Sequence, residues 1–270
     1  MSAPAVAKRI QICADDYGFD RAISQAILDG IDMGRLSATS CMVLSPAWAA
    51  CAPALRDREG AADFGLHLDL SEFAPYAPGR SLQGWIAAAY LRRISLAEAA
   101  QWVGSQLDAF EAGLGRAPDY VDGHQHLHQL PVIREAVLTA LQARYGRRCA
   151  LRITTSRQWR GTKAAVIGAL GAAALASGAA RLGLAGNRDF AGVYDFSPAT
   201  DYSALVRGWL KSLPDGGLLM THPGLPGDTE TRADAIRAAR VREYEFWRST
   251  ESGELLAELG VQLGLCQDWR

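Results

Sequence analysis

Short apolar, β-rich runs alternate with segments of helical periodicity along the whole chain, and such alternation builds a parallel sheet covered by helices. The first run, Arg9-Ile10-Gln11-Ile12-Cys13-Ala14, is predicted as a strand leading into Asp15-Asp16-Tyr17-Gly18. A helix follows from about Arg21 to Met33, with Ile23, Ile27 and Ile31 recurring every four residues and Gly34 ending it. Further strands are predicted over 38–44, 63–70, 120–122, 149–153, 189–194, 217–221 and 261–265. Helices are predicted over 48–56, 95–113, 163–181, 202–213 and 232–247. Ser95-Leu96-Ala97-Glu98 reads as a capping box, and Pro131 suits the first turn of one more helix. The Pro-, Gly- and aromatic-rich stretch from Ser71 to Leu91 is predicted as a long loop over one face. Seven or eight β/α units without a compositional break predict a single domain over residues 1–270, a distorted (β/α) barrel, TIM-barrel-like with parallel strands.

Composition narrows the function classes. At 49% hydrophobic and 21% charged residues, the chain can bury a substantial core. Its 28 basic against 29 acidic side chains exclude a nucleic-acid binder that works by neutralising many phosphates. The five cysteines (Cys13, Cys41, Cys51, Cys149, Cys266) are odd in number and form no C-x-x-C pair, so reduced thiols packed in a core are expected. With no signal-peptide pattern at MSAPAVAKR, a cytoplasmic location is expected. The charge-free run from Ala164 to Ala180 is short for crossing ~30 Å of hydrocarbon. It is read as a barrel helix packed against the sheet, and no membrane span is expected.

The chemistry is expected where the predicted strands end. Asp15-Asp16, His67, Asp122-x-His124 and His222 close four strands, and in a parallel barrel those ends converge on one face. Asp16, His67 and His124 form a set of two imidazoles and one carboxylate that can bind a divalent cation with positions left open. Consecutive Asp15 and Asp16 point in different directions if the strand persists, which implies separate jobs, and a carboxylate beside the metal can take a proton from water. His222 is the candidate general acid. The run His124-Gln125-His126-Leu127-His128, if extended, would place three imidazoles on one face. His126 and His128 are candidates for orienting ligands through hydrogen bonds.

Ala14-Asp15-Asp16-Tyr17-Gly18, Gly65-Leu66-His67-Leu68-Asp69-Leu70 and Asp122-Gly123-His124-Gln125-His126-Leu127-His128 resemble the signatures of the YdjC/ChbG carbohydrate deacetylase family, which includes the hopanoid-biosynthesis-associated HpnK proteins. Thr221-His222-Pro223-Gly224 and Leu151-Arg152-Ile153 are similar to two further, weaker elements of that family. Gln125 stands where some members carry another histidine. The resemblance implies a distorted barrel and metal-dependent removal of acetyl groups from N-acetylated sugars. It implies Asp16, His67 and His124 as metal ligands and Asp15 as general base, with Mg²⁺ the favoured cofactor and Zn²⁺ the alternative.

On that reading, Arg152 steers Asp15 or contacts substrate. Tyr17, Phe73, Tyr76 and Trp85 are candidates for stacking on sugar rings or for ordinary packing. The expected partner is a small-molecule or oligosaccharide substrate bearing an N-acetyl group, and a homodimer is compatible with such a barrel. Two alternatives remain: an Fe(II)-dependent oxygenase, which uses a similar donor set, and a non-catalytic sugar- or metal-binding protein.

Overall fold

β1 (Lys8–Tyr17) is the strand around which the sheet is assembled. Its residues 10–14 pair in parallel with β7 (Gly217–Thr221), and its other edge pairs with β2 (Ala38–Cys41). From β2 the sheet continues through β3 (Asp63–Leu68) and β4 (Tyr120–Gly123) to β5 (Ala150–Leu151), and beyond β7 it ends at β6 (Phe190–Ala191). β8 (Val261–Leu263) pairs with Lys8–Ile10. Because Ile10 also pairs with Gly217 of β7, β8 must share the β2 edge of β1. Every strand pairing is parallel, so the C-terminal strand ends gather at one end of the molecule. The expected distorted barrel is present as a curled half-barrel; between its outer strands, β5 and β6, Leu151 bridges Gly186 and the Asn187 side chain bonds the backbone N–H and carbonyl of Ile153. The computed structural model describes residues 7–227 and 234–269.

Helices return the chain from strand to strand. α1 (Arg21–Asp32) joins β1 to β2; Asp20 caps it by accepting from the Ile23 amide, and Ile23, Ile27 and Ile31 are buried as their spacing predicts. Each such burial stabilises by roughly 2 kcal/mol. α2 (Trp48–Arg56) joins β2 to β3. The next connection holds two helices, α3 (Leu82–Tyr90) and α4 (Leu96–Leu114), and the Ser95–Glu98 capping box opens α4. α5 (Ile133–Tyr145) follows β4; Pro131 lies two residues ahead of it rather than in its first turn. α6 (Thr162–Ala169) and α7 (Ala172–Leu182) lead to β6, α8 (Tyr202–Ser212) to β7, and α9 (Arg237–Arg248) with α10 (Thr250–Glu258) to β8.

Two expectations fail for identifiable reasons. The stretch 71–91 is not all loop, because Ser81 caps α3 and Trp85, Ala88 and Ala89 give it a buried face. The single helix predicted over 163–181 is broken into α6 and α7, bent by 49°. Gly171 sits at the break with φ of 126°, and a Cβ there would lie 2.3 Å from the Gln129 carbonyl oxygen. Of the two pieces α7 packs inward through Leu175 and Ala179, whereas α6 buries only Ala164, which with Ile167 joins the apolar cluster formed by Phe190, Leu218 and Met220 of the sheet. Among the described residues no single helix is long and apolar enough to cross a membrane. The helix predicted over 232–247 begins in the structure at Arg237, and residues 232–233 lie outside the described residues.

Candidate active site

A cavity of about 670 Å³ opens at the C-terminal strand ends, with Asp15, Asp16, His67, His124 and His222 in its lining. Strict alternation would send Asp15 and Asp16 to opposite faces. Instead the pairing of β1 with β2 slips between Ala14 and Tyr17, and Asp16 takes φ of 73°. This local bulge turns both carboxylates into the cavity. Gln125, His126 and Phe196 also have positive φ and line the same cavity, which concentrates backbone strain around the site.

Asp16 Oδ1 lies 3.3 Å from His67 Nε2 and 3.2 Å from His124 Nδ1. These three side chains each offer a ligand atom within 4.8 Å of the others, the spacing a single bound cation requires. The supports are built in. His67 Nδ1 donates to Asp122 Oδ1 at 2.7 Å, which leaves Nε2 facing Asp16. The other oxygen of Asp16 accepts from Arg240 Nη2 at 2.6 Å, and Arg240 Nε is bonded to Asp234 at 2.7 Å. Burial favours a protonated Asp16, but Arg240 and the two histidines hold its carboxyl well below the usual range. Burial likewise opposes charge on His67, yet Asp122 and Asp15 raise it to about 10 in the metal-free protein. The site thus pairs an ionised carboxylate with two imidazoles, and the donor set fits a divalent cation.

Asp15 does not share that set. Its two oxygens accept from Arg152 Nη1 at 2.7 Å and Nη2 at 2.6 Å, a bidentate clamp. The fully buried guanidinium also lies 2.7 Å from Asp122 Oδ2 and 3.0 Å from Cys13 Sγ. Cys13, Asp15 and Asp122 form a second group with metal-ligand spacing, but the Arg152 cation already occupies the space between them. Burial pushes the Cys13 thiol up to about 12, so it serves as a neutral partner for Arg152 and for Tyr120, whose hydroxyl is 2.9 Å away. Tyr120 lies across Gly65 of β3, where a Cβ would come within 2.4 Å of its ring. Burial opposes ionisation of Asp15 as well; Arg152 and then His67 outweigh it and hold the carboxyl below its ordinary value.

The histidine run is not extended. Residues 124–129 form a 3₁₀ turn in which Gln125 and His126 have φ of 53° and 59°. The three imidazoles therefore separate. His124 faces Asp16, His126 lines the cavity against the edge of Phe190, and His128 donates Nε2–H to the Arg152 carbonyl at 3.0 Å. Burial lowers His128 to about 4, so it ties the turn to β5 as a neutral group. His222 Nε2 lies 3.9 Å from Asp15 Oδ2. Glu243 of α9 positions it by accepting from the His222 amide at 2.6 Å and from Thr221 Oγ1 at 2.5 Å. Glu243 and Arg240, three residues apart on α9, carry no motif, and sequence reasoning missed both.

None of the four aromatics considered for stacking lines the cavity. Tyr17 and Trp85 are buried, Phe73 packs on Phe19, and Tyr76 stacks on Trp102. The apolar lining is instead built from Leu82 and Ile86 of α3, Leu127 and Leu130, and Val166 and Ile167 of α6, with Phe19, Tyr194 and Phe196 as its aromatic members. Four cysteines are buried, Cys266 is partly so, and all five are free thiols.

Known proteins are similar to this chain in sequence or in fold. A carbohydrate deacetylase from Mus musculus is 29% identical over 99% of this chain and 96% of its own. A chitooligosaccharide deacetylase from Yersinia enterocolitica is 31% identical over 47% of this chain and 53% of its own. A solved structure from Enterococcus faecalis, of a candidate cellobiose-phosphate cleavage protein, covers 97% of this chain and 98% of its own. Its TM-score is 0.72 at 20% identity, a likeness of fold. The family described as YdjC-like protein matches residues 9–258, from β1 through α10 and across every strand end that lines the cavity. The chain belongs to the YdjC-like protein family.

Proposed function

We propose that this protein is a metal-dependent amide hydrolase that removes acetyl groups from N-acetylated sugars, folded as one domain. The observation that carries the reading is the adjacency of two differently wired aspartates. Asp16 faces two imidazoles, and Asp15, its neighbour in sequence, is held ionised by Arg152 4.0 Å from His67 Nε2. The names of the Mus musculus and Yersinia enterocolitica relatives support a carbohydrate substrate.

Asp16, His67 and His124 are the residues that would hold the cation. When bound, a divalent cation supplies Lewis acidity towards the acetamide carbonyl and makes water a stronger acid. Two imidazoles and one carboxylate suit a borderline ion such as Zn²⁺ better than oxygen-seeking Mg²⁺. Asp15 accepts the proton of the attacking water; the Arg152 clamp takes one lone pair on each oxygen, keeps the carboxylate ionised and fixes the direction of the lone pairs that remain. The proton that Asp15 takes from water passes to His222, whose Nε2 lies 3.9 Å from Asp15 Oδ2, and from there to the departing sugar amine; burial lowers the basicity of His222, which favours that release. Water and amide thereby become acetate and free amine. Arg240 fixes which oxygen of Asp16 faces the two histidines. The apolar walls exclude bulk water from the reacting atoms. An oxygenase would leave the Arg152–Asp15 pair without a task.

The test is acetate release from a panel of N-acetylated sugars, with chelation and add-back of Zn²⁺ or Mg²⁺. Asp15→Asn should lower turnover by about 10²–10⁴-fold while retaining stoichiometric metal by elemental analysis. Metal retention with undiminished turnover in that variant, or no acetate from any N-acetylated sugar, would refute the proposal.

A further inference from the structure

Two buried arginines grip the two adjacent aspartates, and they grip them differently. Arg152 sets Nη1 on one oxygen of Asp15 and Nη2 on the other. Arg240 gives Asp16 only Nη2, which lies 2.6 Å from Oδ2. Its Nε donates to Asp234 Oδ2 at 2.7 Å, and its Nη1 is buried with no hydrogen-bond partner among the described residues. An unpaired N–H on a buried cation is unfavourable and calls for a reason. Asp16 Oδ1 would satisfy it, because a guanidinium that already touches one carboxylate oxygen can fork onto the second, as Arg152 does.

The stem of Arg240 is held in place. A Cβ at Gly224 would lie 3.1 Å from Arg240 Cβ and 3.3 Å from its Cδ, and the Gly224 amide donates to the Arg240 carbonyl at 3.1 Å. The Phe19 ring lies 5.7 Å from Cζ. What is left to the side chain is rotation of the guanidinium about its last torsions, and the bond to Asp234 removes it. Asp234 is itself aimed. Its Oδ1 accepts from the Ile236 amide at 3.1 Å and its carbonyl from the Arg237 amide at 3.2 Å, where α9 opens. The side chains of Asp16 and Arg240 are each 2% exposed and that of Asp234 is 5% exposed, so water does not replace these bonds.

We propose that Asp234 is a positioning residue for the cation site: by holding Nε, it keeps Arg240 on one oxygen of Asp16 and leaves Oδ1 to the metal. Oδ1 is the oxygen that lies 3.3 Å from His67 Nε2 and 3.2 Å from His124 Nδ1. Released from Asp234, the guanidinium turns Nη1 onto Oδ1, and Asp16 becomes what Asp15 already is, a carboxylate closed by an arginine. The same residue pair, Asp with buried Arg, thus gives a clamped base at one position and an open ligand at the next, and the third carboxylate makes the difference. The inference rests on Asp16, His67 and His124 as the metal ligands.

The experiment is titration of the metal-stripped full chain with Zn²⁺ against a competing chelating dye, which requires no turnover. Asp234→Ala should weaken binding by about 10–100-fold, the usual loss when the group behind a metal ligand is removed. Asp234→Asn keeps an acceptor for Nε without the charge, so it should fold as the parent does and lose a smaller part of the affinity. In an Arg240→Met background, Asp234→Ala should cause no further loss of Zn²⁺ affinity, because its effect passes through the guanidinium. A merely structural role for Asp234 would instead lower affinity equally in both backgrounds. That result, or parental affinity in both Asp234 variants, would overturn the proposal while leaving the metal site standing. A parent chain that binds no Zn²⁺ would overturn the metal-site reading and the proposal with it.

Discussion

Arg152→Met tests the wiring of the site directly, since methionine keeps most of the side-chain volume and deletes the charge. In the parent the guanidinium lies 2.6–2.7 Å from both oxygens of Asp15 and 2.7 Å from Asp122, with no exposure to solvent. Removing one partner from a buried ion pair typically costs ~3–5 kcal/mol, because the orphaned charge has lost its solvation as well as its partner. Here Asp15 loses its bidentate partner while Asp122 keeps His67 and Ser40, so the middle of that range applies unless Asp15 binds a proton. The sign with pH follows from Asp15. In the parent its folded carboxyl lies below its unfolded value, which adds stability above the unfolded value and loses it as pH falls. In the variant, burial is no longer opposed by the guanidinium, the folded value rises past the unfolded one, and the penalty grows as pH rises. Urea unfolding of chelated parent and chelated variant should therefore differ by ~4 kcal/mol near pH 8 and by about 1 kcal/mol near pH 4. A difference below ~1 kcal/mol near pH 8, or one that does not change with pH, would refute the charge-clamp account.

Two further outcomes follow from the scaffold. Asp63, which accepts from Gln11 Nε2 and the Cys266 amide, is pushed up to about 6 chiefly by burial. Its folded value exceeds the unfolded one, so it costs stability progressively as pH rises from about 4 to 6 and at its full level above that. Asp63→Asn should raise stability at neutral pH by roughly 1–3 kcal/mol and leave it unchanged near pH 4, read by thermal or urea unfolding; destabilisation at neutral pH would contradict this. Gly171→Ala forces a Cβ against the Gln129 carbonyl at a φ of 126° and should cost ~2 kcal/mol or more. It should also reduce metal binding measured by titration, because Gln129 ends the turn that begins at His124; a stable variant with parental metal affinity would show that the contact is soft.

The strand ends were legible in the sequence because an apolar run that stops at Asp or His marks where a buried parallel strand emerges at a polar site. His67, His124 and His222 were found that way, and the structure brings them to one cavity. What alternation could not reveal was the bulge at Asp15–Asp16. Period two assigns them to opposite faces, and an aspartate at φ of 73° leaves no glycine as a signal. The compact turn over 124–129 was hidden for the same reason, since Gln125 and His126 adopt left-handed angles usually marked by glycine. α3 was obscured by prolines and glycines upstream of its cap. Arg240 and Glu243 sit on a helix rich in charge, where nothing local separates a buried charge from a solvated one.

The placement of β8 has a consequence for how the protein comes into being. β1 is made first, yet its N-terminal half is flanked by β7 on one side and by residues 261–263 on the other. During synthesis that strand has no lasting neighbours there until more than two hundred later residues have emerged. The loop-closure entropy of those distant pairings is met only once residues 217–221 and 261–263 have emerged. Asp15 and Asp16, at the far end of the same strand, therefore acquire their fixed positions late. A nascent chain stalled before residue 217 should carry His67 and His124 without the framework that aims the aspartates at them.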